Sequence, residues 1–249
     1  MIHSITVEVF MKTGLLKKIV INVIFALLVI VALGMIFNRP IKNTIIKSYD
    51  PKVTRQTVTQ TEKRQKADSK RHKQNVSYNF KKVKSLDFQT AARARMNTDK
   101  IEVIGEILVP NAGIHLPIGL GVANSTLALA AGTMRPDQRM GKGNYPLAGH
   151  HMVNRHVLFG PLYFKTRVGD KVYLSDLKHV YQYQVYRREF IAATRVDVVR
   201  QTKRSIVTLI TCDATGAGRL MIRGKLQKSY LLNQASPKIK RALLGPVNS

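Results

Sequence analysis

The residues of this chain best suited to chemistry are its single cysteine and a pair of adjacent histidines. Cys212 is the only cysteine in 249 residues, which excludes an intrachain disulfide, a CxxC redox pair and a cysteine-based zinc site. A β-branched run, SIVTLIT, leads directly into it, and Asp213, Thr215 and Gly216 then predict a turn. The thiol is thus expected at the C-terminal end of a strand, held by the sheet yet open to a substrate. Cys212 is a candidate nucleophile, with a buried packing cysteine as the alternative.

The histidine pair follows another short apolar stretch. PLAG leads into His150 and His151, and no acidic or thiolate residue stands nearby at the spacing of a zinc site. A cysteine and a histidine at strand-to-loop edges are the minimum equipment for acyl transfer through a thioester. The alternative is a pair of surface histidines in a loop.

Arg219 is the third candidate because of its position. It opens the hydrophobic strand that follows the Cys212 loop. If the two strands pair, its guanidinium lies beside the thiol, where fixed donors could hold a substrate backbone or an oxyanion.

The elements that must position these residues are short strands. From residue 101 onward the sequence alternates between apolar runs and turn signals, and Asn124-Ser125 caps one short helix. The predicted strands cover residues 101–110, 113–119, 145–148, 171–175, 179–190, 205–211 and 219–226. Many short strands with little helix indicate an all-β barrel or sandwich.

The N-terminal part contains an uncharged apolar run, residues 19–37, broken only by Asn22. At about 1.5 Å per residue it spans roughly 28 Å, close to the thickness of a bilayer core. A cleaved signal peptide is the competing interpretation, but the run continues past the small residues at 32–34, which favours an uncleaved anchor. Basic residues flank both ends, so charge does not determine its orientation. The start codon also stays open between Met1 and Met11.

The charge balance is strongly basic, with 41 Lys and Arg against 14 Asp and Glu and a net charge of +27. Such a surface suits polyanions: nucleic acid, acidic lipid headgroups or anionic wall polymers. Residues 38–100 are polar and basic, which predicts a solvated stalk, helical in part between residues 57 and 74. Between residues 52 and 84 only Tyr78 and Phe80 are available for base stacking, which disfavours nucleic acid. Residues 233–249 form a short basic tail.

The order of these motifs resembles the sortases, the transpeptidases that attach surface proteins to Gram-positive cell walls. TLITC (208–212), AGHH (148–151) and the strand opened by Arg219 carry the likeness, which extends over residues 101–226. The N-terminal anchor resembles class A. The resemblance implies an all-β fold, an eight-stranded sortase-type β-barrel with short helices, preceded by a transmembrane helix and a basic linker. The expected divisions are 1–18 cytoplasmic, 19–37 anchor, 38–100 linker, 101–232 catalytic barrel and 233–249 tail.

The resemblance also implies roles for the site residues. Cys212 corresponds to the nucleophile, His150 to the general acid/base and Arg219 to the substrate-orienting cation. Thr211 corresponds to the position whose backbone and hydroxyl help to form the oxyanion hole. Ala148 corresponds to a residue that lines the sorting-signal pocket, and the adjacent His151 is an auxiliary candidate.

The implied substrates are surface proteins that bear an LPxTG signal, cleaved between Thr and Gly, and an amino group of the lipid-linked peptidoglycan precursor. The chain would cross the cell membrane once, with its catalytic domain outside; the linker would contact anionic lipid or wall polymer, and nucleic acid is not an expected partner. No metal or other cofactor is expected. Some class A members bind calcium through acidic side chains, but here residues 113–117 have no carboxylate and residues 196–205 have only Asp197.

Two rival functions remain open. A papain-like cysteine hydrolase normally places its cysteine before its histidine in the chain, the opposite of the order here. A membrane-tethered basic β-domain that binds anionic polymer or lipid would explain the charge without catalysis.

Overall fold

The structure is a computed structural model that describes residues 2–70, 76–78, 83, 86–152, 154–212 and 217–248. Side chains are described from residue 17 onward, apart from 65, 66 and 68–70. The predicted turn after Cys212 and the proposed stacking residue Phe80 lie outside the described part. The chain divides into two compact units, Met1–Ile41 and Lys42–Ser249.

A long helix, α1 (Ile2–Lys47), forms the N-terminal region. Its segment Lys17–Lys47 is long and apolar enough to cross a membrane, and none of its most apolar stretch is buried within the protein. The large apolar side chains between Ile19 and Phe37 are exposed. Exposing so much apolar surface to water is unfavourable by about 25 cal/mol per Å², so α1 is a candidate membrane anchor.

The second unit is built around a closed barrel of eight strands in the order β1-β2-β3-β4-β7-β8-β6-β5. The pairs β2–β3 and β4–β7 are parallel, and the other neighbours run antiparallel. The strands are β1 (Val103–Val109), β2 (Ile114–Gly119), β3 (Ala131–Thr133), β4 (Asn144–Ala148), β5 (Lys171–Ser175), β6 (His179–Ala192), β7 (Ile206–Cys212) and β8 (Gly218–Leu231). The expectation of an all-β, eight-stranded barrel is confirmed.

Shorter helices surround the barrel. They are α2 (Arg55–Lys70), α3 (Phe88–Met96), α4 (Asn124–Leu129), α5 (Gly160–Lys165) and α6 (Pro237–Leu243). The strand β3 had no sequence signal of its own, because it is three residues long and all three are small or polar. Gly132 explains its composition: a Cβ there would come within 2.4 Å of the Gly121 carbonyl oxygen.

The barrel interior follows from the period-2 alternation of the strands. On β7, Val207 and Leu209 point inward and meet Leu147 of β4 and Ile222 of β8 in the main apolar core. The intervening positions, Thr208, Ile210 and Cys212, therefore lie on the outer face of β7. This outer face carries the site.

The linker packs partly against the barrel, although its composition predicted a solvated stalk. Several of its apolar residues are buried: Ile46, Tyr49 and Leu86, together with Ala91 and Ala94 of α3, join the barrel core. The composition argument failed here because it averaged over all 63 positions of residues 38–100, whereas docking onto the barrel needs only a few apolar side chains. The C-terminal tail is likewise anchored, since Ile239 and Leu243 of α6 pack on strands of the barrel.

Candidate active site

The parallel pair β4–β7 brings the histidine motif to the cysteine motif. Ala148 lies opposite Ile210 in the register, and the Gly149 amide continues the ladder by donating to the Ile210 carbonyl at 3.1 Å. Both strands run in the same direction, so two further residues along each chain lead to His150 and Cys212. Two motifs 62 positions apart in the sequence thus end at the same edge of the barrel.

The antiparallel pair β7–β8 brings Arg219 to the same edge. Cys212 and Arg219 are direct cross-strand partners, and residues directly opposite each other project to the same face of a sheet at Cβ separations of about 4.5–5.5 Å. Cys212 is half-buried, and the Nη1 of Arg219 donates to the Gly218 carbonyl at 2.8 Å. The predicted proximity of Arg219 to the thiol is therefore confirmed at the level of strand register.

A buried apolar cluster lies beside this pair on the outer face of β7. Ile210 and Met221, cross-strand partners next to the Cys212–Arg219 pair, form a cluster with Val198, and Met134, Ile191 and Val199 border it. Val198 belongs to a 3-10 turn, Val196–Val199, in the loop between β6 and β7. This loop therefore packs on the outer face of β7 and β8 beside the thiol.

Thr211 and Ala148 have different surroundings from those of the thiol. Thr211 pairs with Leu220, a core residue, so its side chain lies on the inner face of β7, and it is 1% exposed. Its hydroxyl is on the face opposite to Cys212, which leaves its backbone as the part adjacent to the thiol. Ala148 is fully buried in a cluster with Val122 and Leu127, against which Val83 of the linker packs.

His150 is buried, with 7% of its surface exposed. Its carbonyl accepts the Phe159 amide at 3.2 Å, and its Nε2 has no hydrogen-bond partner among the residues that the structure describes. Burial, and secondarily the positive charge of Lys42, lower the pKa of His150 from 6.5 to about 4. Lys42 itself donates from Nζ to the Leu86 carbonyl at 3.0 Å. The imidazole is therefore neutral at pH 7 in this conformation.

His151 is in an aromatic setting that the sequence did not reveal. Its ring meets Tyr163 edge-on at a centroid distance of 5.0 Å, and Tyr163 in turn stacks edge-on with Phe164 and Phe190. The Arg155 guanidinium lies 4.2 Å from the centre of the Phe164 ring. These residues of α5 and β6 give the second histidine a packing environment of its own.

The sequence analysis did not identify Asn144, whose buried side-chain amide connects the β6–β7 loop to the barrel by hydrogen bonds. Asn144 is fully buried, and its Nδ2 donates to the carbonyls of Val198 and Arg200, both at 3.0 Å. Its Oδ1 accepts the Thr208 hydroxyl at 2.8 Å, and its backbone amide donates to Gln201 Oε1 at 2.9 Å. An asparagine at the start of a strand gives no sequence signal of this role, because the partner is 54 to 57 residues away.

In the described part of the chain, no group of three or more His, Cys, Asp or Glu side chains is arranged to hold a metal ion. Asp197, the carboxylate noted in the β6–β7 loop, pairs with Arg195 at 2.7 Å. That ion pair holds the pKa of Asp197 near 2.

Comparison with known proteins agrees with this geometry. Residues 107–227 match the family model of the sortase domain. The chain is 36% identical to sortase A of Listeria monocytogenes over 88% of its own length and 96% of that protein. It is 34% identical to sortase A of Streptococcus agalactiae, over 87% and 88% of the two chains. A solved structure of Listeria monocytogenes sortase A aligns with a TM-score of 0.53 and 40% identity, covering 57% of this chain and 97% of that one.

The closed eight-stranded barrel and the similarity to these proteins define the fold as that of a transpeptidase. The chain belongs to the sortase family, and its similarity to sortase A proteins over most of its length supports class A.

Proposed function

We propose that this sortase cleaves LPxTG-type signals between Thr and Gly through a thioester on Cys212 and transfers the acyl group to an amino group of the peptidoglycan precursor. The cross-strand pairing of Cys212 with Arg219, next to the end of the strand that leads to His150, is the observation that carries the proposal. The candidate anchor in α1 would hold the enzyme at the membrane, with the catalytic unit outside.

The first half of the reaction begins from a neutral imidazole. His150, with its pKa near 4, accepts the thiol proton from Cys212, and the sulfur attacks the threonine carbonyl carbon. The Arg219 guanidinium donates hydrogen bonds to the substrate carbonyl as it becomes an oxyanion. The carbon–nitrogen bond to glycine then breaks, and the imidazolium gives its proton to the leaving amine. A thioester on Cys212 and a released C-terminal fragment result.

The second half repeats these steps in reverse. An amine of the acceptor attacks the thioester carbonyl, its proton passes to His150, and the carbon–sulfur bond breaks. The imidazolium returns the proton to the sulfur, which restores the thiol.

The test uses the full chain in a neutral detergent, with an LPxTG peptide and a triglycine acceptor. We expect a ligated product and a thioester adduct whose mass maps to Cys212. Cys212→Ala should form neither. Ligation by that variant would overturn the assignment of the nucleophile. Hydrolysis of unrelated peptides would favour a cysteine hydrolase, and inertness of the wild type would favour a binding domain.

A further inference from the structure

A second feature of the barrel is a cationic cavity that the proposed chemistry does not use. It lies between the β3–β4 and β6–β7 loops, has a volume of about 400 Å³, and is lined by Asp137, Arg139, Lys142, Gly143, Gln201, Thr202 and Lys203. Gly143 directly precedes β4, whereas the proposed active site follows the other end of that strand. The cavity is therefore separated from Cys212 by the length of β4, about 16 Å at 3.3 Å per residue.

The electrostatics of the cavity are one-sided. Arg139, Lys142 and Lys203 have no carboxylate within 4 Å among the residues described. The single acid of the lining, Asp137, is held by Arg135, with an Nε–Oδ1 distance of 2.8 Å. This ion pair lowers the pKa of Asp137 and offsets its charge. Three cations thus line one cavity without a counter-ion from the residues that the structure describes.

The cavity is also held in shape. Gln201 accepts the Asn144 amide at 2.9 Å, which joins its two loops, and a Cβ on Gly143 would come within 2.4 Å of Gln201 Oε1. The Lys142 amide closes a turn on the Arg139 carbonyl at 3.2 Å. Binding here would not have to order the backbone, which reduces the entropic cost of association.

We propose that this cavity binds phosphate groups of a linear, soluble polyanion. Arginine and lysine together are the side chains that favour phosphate oxygens. An open cavity with further exposed cations beside it, Arg200 and Arg204, suits a chain of successive anions better than one small ion. The β6–β7 loop, which lines the cavity, also carries Val198 of the buried cluster beside the thiol, so an occupied cavity would also brace that cluster.

The test compares two variants of equal charge. In the full chain in neutral detergent, R139Q/K142Q/K203Q removes the three cavity cations, and K171Q/K178Q/K238Q removes three exposed lysines elsewhere. Tripolyphosphate is titrated calorimetrically into each at low salt. We expect the cavity variant to bind at least about tenfold more weakly than the wild type, and the control to stay within about twofold. Circular dichroism melting verifies that both variants are folded.

Equal weakening in both variants would mean diffuse attraction to the net charge, and no weakening in either would mean that the cavity does not bind phosphate; both results overturn the proposal. A loss confined to micelles containing phosphatidylglycerol, with tripolyphosphate binding intact, would assign the surface to lipid headgroups and also overturn it. The single variant Lys203→Gln, against Lys178→Gln, repeats the comparison if the triple variant unfolds. Binding is measured without peptide substrate, so this result is independent of the proposed transpeptidation.

Discussion

Two histidines of the barrel region have low exposure, and their surroundings differ. His115 on β2 has both ring nitrogens engaged: Nε2 lies 3.0 Å from Glu106 Oε2, and Nδ1 lies 3.2 Å from the Pro246 carbonyl oxygen. His150, after β4, has an Nε2 with no partner among the described residues. Buried polar groups are nearly always hydrogen-bonded. His150 Nε2 is an exception to this rule, and it lies at the edge shared with Cys212 and Arg219. We therefore expect it to exchange a proton or to contact a substrate.

The carboxylate beside His115 strengthens the contrast. Burial raises the pKa of Glu106, and the hydrogen bond from His115 opposes that rise. The pair joins β1 to β2 as direct neighbours of the barrel, and its role is structural. Low exposure alone thus does not distinguish a catalytic histidine from a structural one; the partners of the ring nitrogens do.

The most direct test of the difference between His150 and His115 is to replace each histidine by glutamine. His150→Gln removes the proposed general acid/base, so we expect kcat/KM for peptide ligation to fall by about 10³-fold. His115→Gln should leave kcat/KM within about threefold and instead lower the free energy of unfolding by about 1–3 kcal/mol, because Glu106 loses a buried partner. Equal activity losses in the two folded variants would contradict the distinction.

The next effect concerns the cation opposite the thiol. Arg219→Lys keeps the charge but removes the planar fork of donors, and we expect a loss of about tenfold to 100-fold in kcat/KM. Arg219→Gln should lose more. The matched control is Arg241→Lys on α6, an exposed position that should change activity by less than about twofold. Full activity of Arg219→Lys would show that only charge is needed there.

Substitution of Asn144 tests whether the β6–β7 loop must be held in place beside the site. Asn144→Ala removes the amide that donates to the carbonyls of Val198 and Arg200, so we expect KM for the peptide to rise about fivefold to tenfold, with kcat changed less. The free energy of unfolding should fall by about 1–3 kcal/mol. Thr208→Ser keeps the hydroxyl that Asn144 accepts and should keep KM near the wild-type value. A fall in kcat alone would contradict a positioning role.

The pH dependence of stability tests the buried, neutral state of His150 without any substrate. The folded-state pKa of His150, about 4, lies below its ordinary value of 6.5, so protons bind the unfolded chain first as the pH falls. The wild type should therefore lose stability between about pH 6.5 and pH 4, and His150→Gln should lose less over that window. Chemical denaturation at several pH values measures this. Parallel curves would refute the buried neutral imidazole.

Glu106 gives the smallest effect and the opposite sign. Its folded-state pKa is raised above 4.5, so the wild type loses stability as the pH rises above that value and the buried carboxyl ionises. The glutamine of Glu106→Gln cannot ionise. Between about pH 4 and 7, the free energy of unfolding of this variant should therefore increase relative to that of the wild type. Ligation activity should stay within about twofold. A large loss of activity would indicate that the Glu106–His115 pair takes part in catalysis.

Several features could be read from the sequence because they depend on local patterning. The period-2 alternation and turn residues predicted seven of the strands, including β5 and the strand that ends at Cys212. The uncharged run of residues 19–37 predicted the candidate anchor, since length and hydropathy alone set that requirement. The motif order of His150, Cys212 and Arg219 predicted the family.

Other features depended on partners far away in the chain. The linker residues Ile46, Tyr49 and Leu86 are buried only because the barrel offers them a surface, and α6 is anchored for the same reason. Asn144 has its role through carbonyls more than 50 residues away. The low pKa of His150 comes first from its burial and second from the charge of Lys42, which is far away in the chain.

The sequence by itself determined which residues carry thiol, imidazole and guanidinium chemistry and which strands carry them, because residue type and alternation are local properties. Only the tertiary structure decided that both ring nitrogens of His115 have partners and that His150 Nε2 has none in the described part of the chain. It also decided that the Thr211 hydroxyl lies on the inner face of the barrel and that three cations line one cavity. Burial, hydrogen-bond partners and electrostatic environment are properties of the surroundings, and the closed barrel brings those surroundings together from distant parts of the chain.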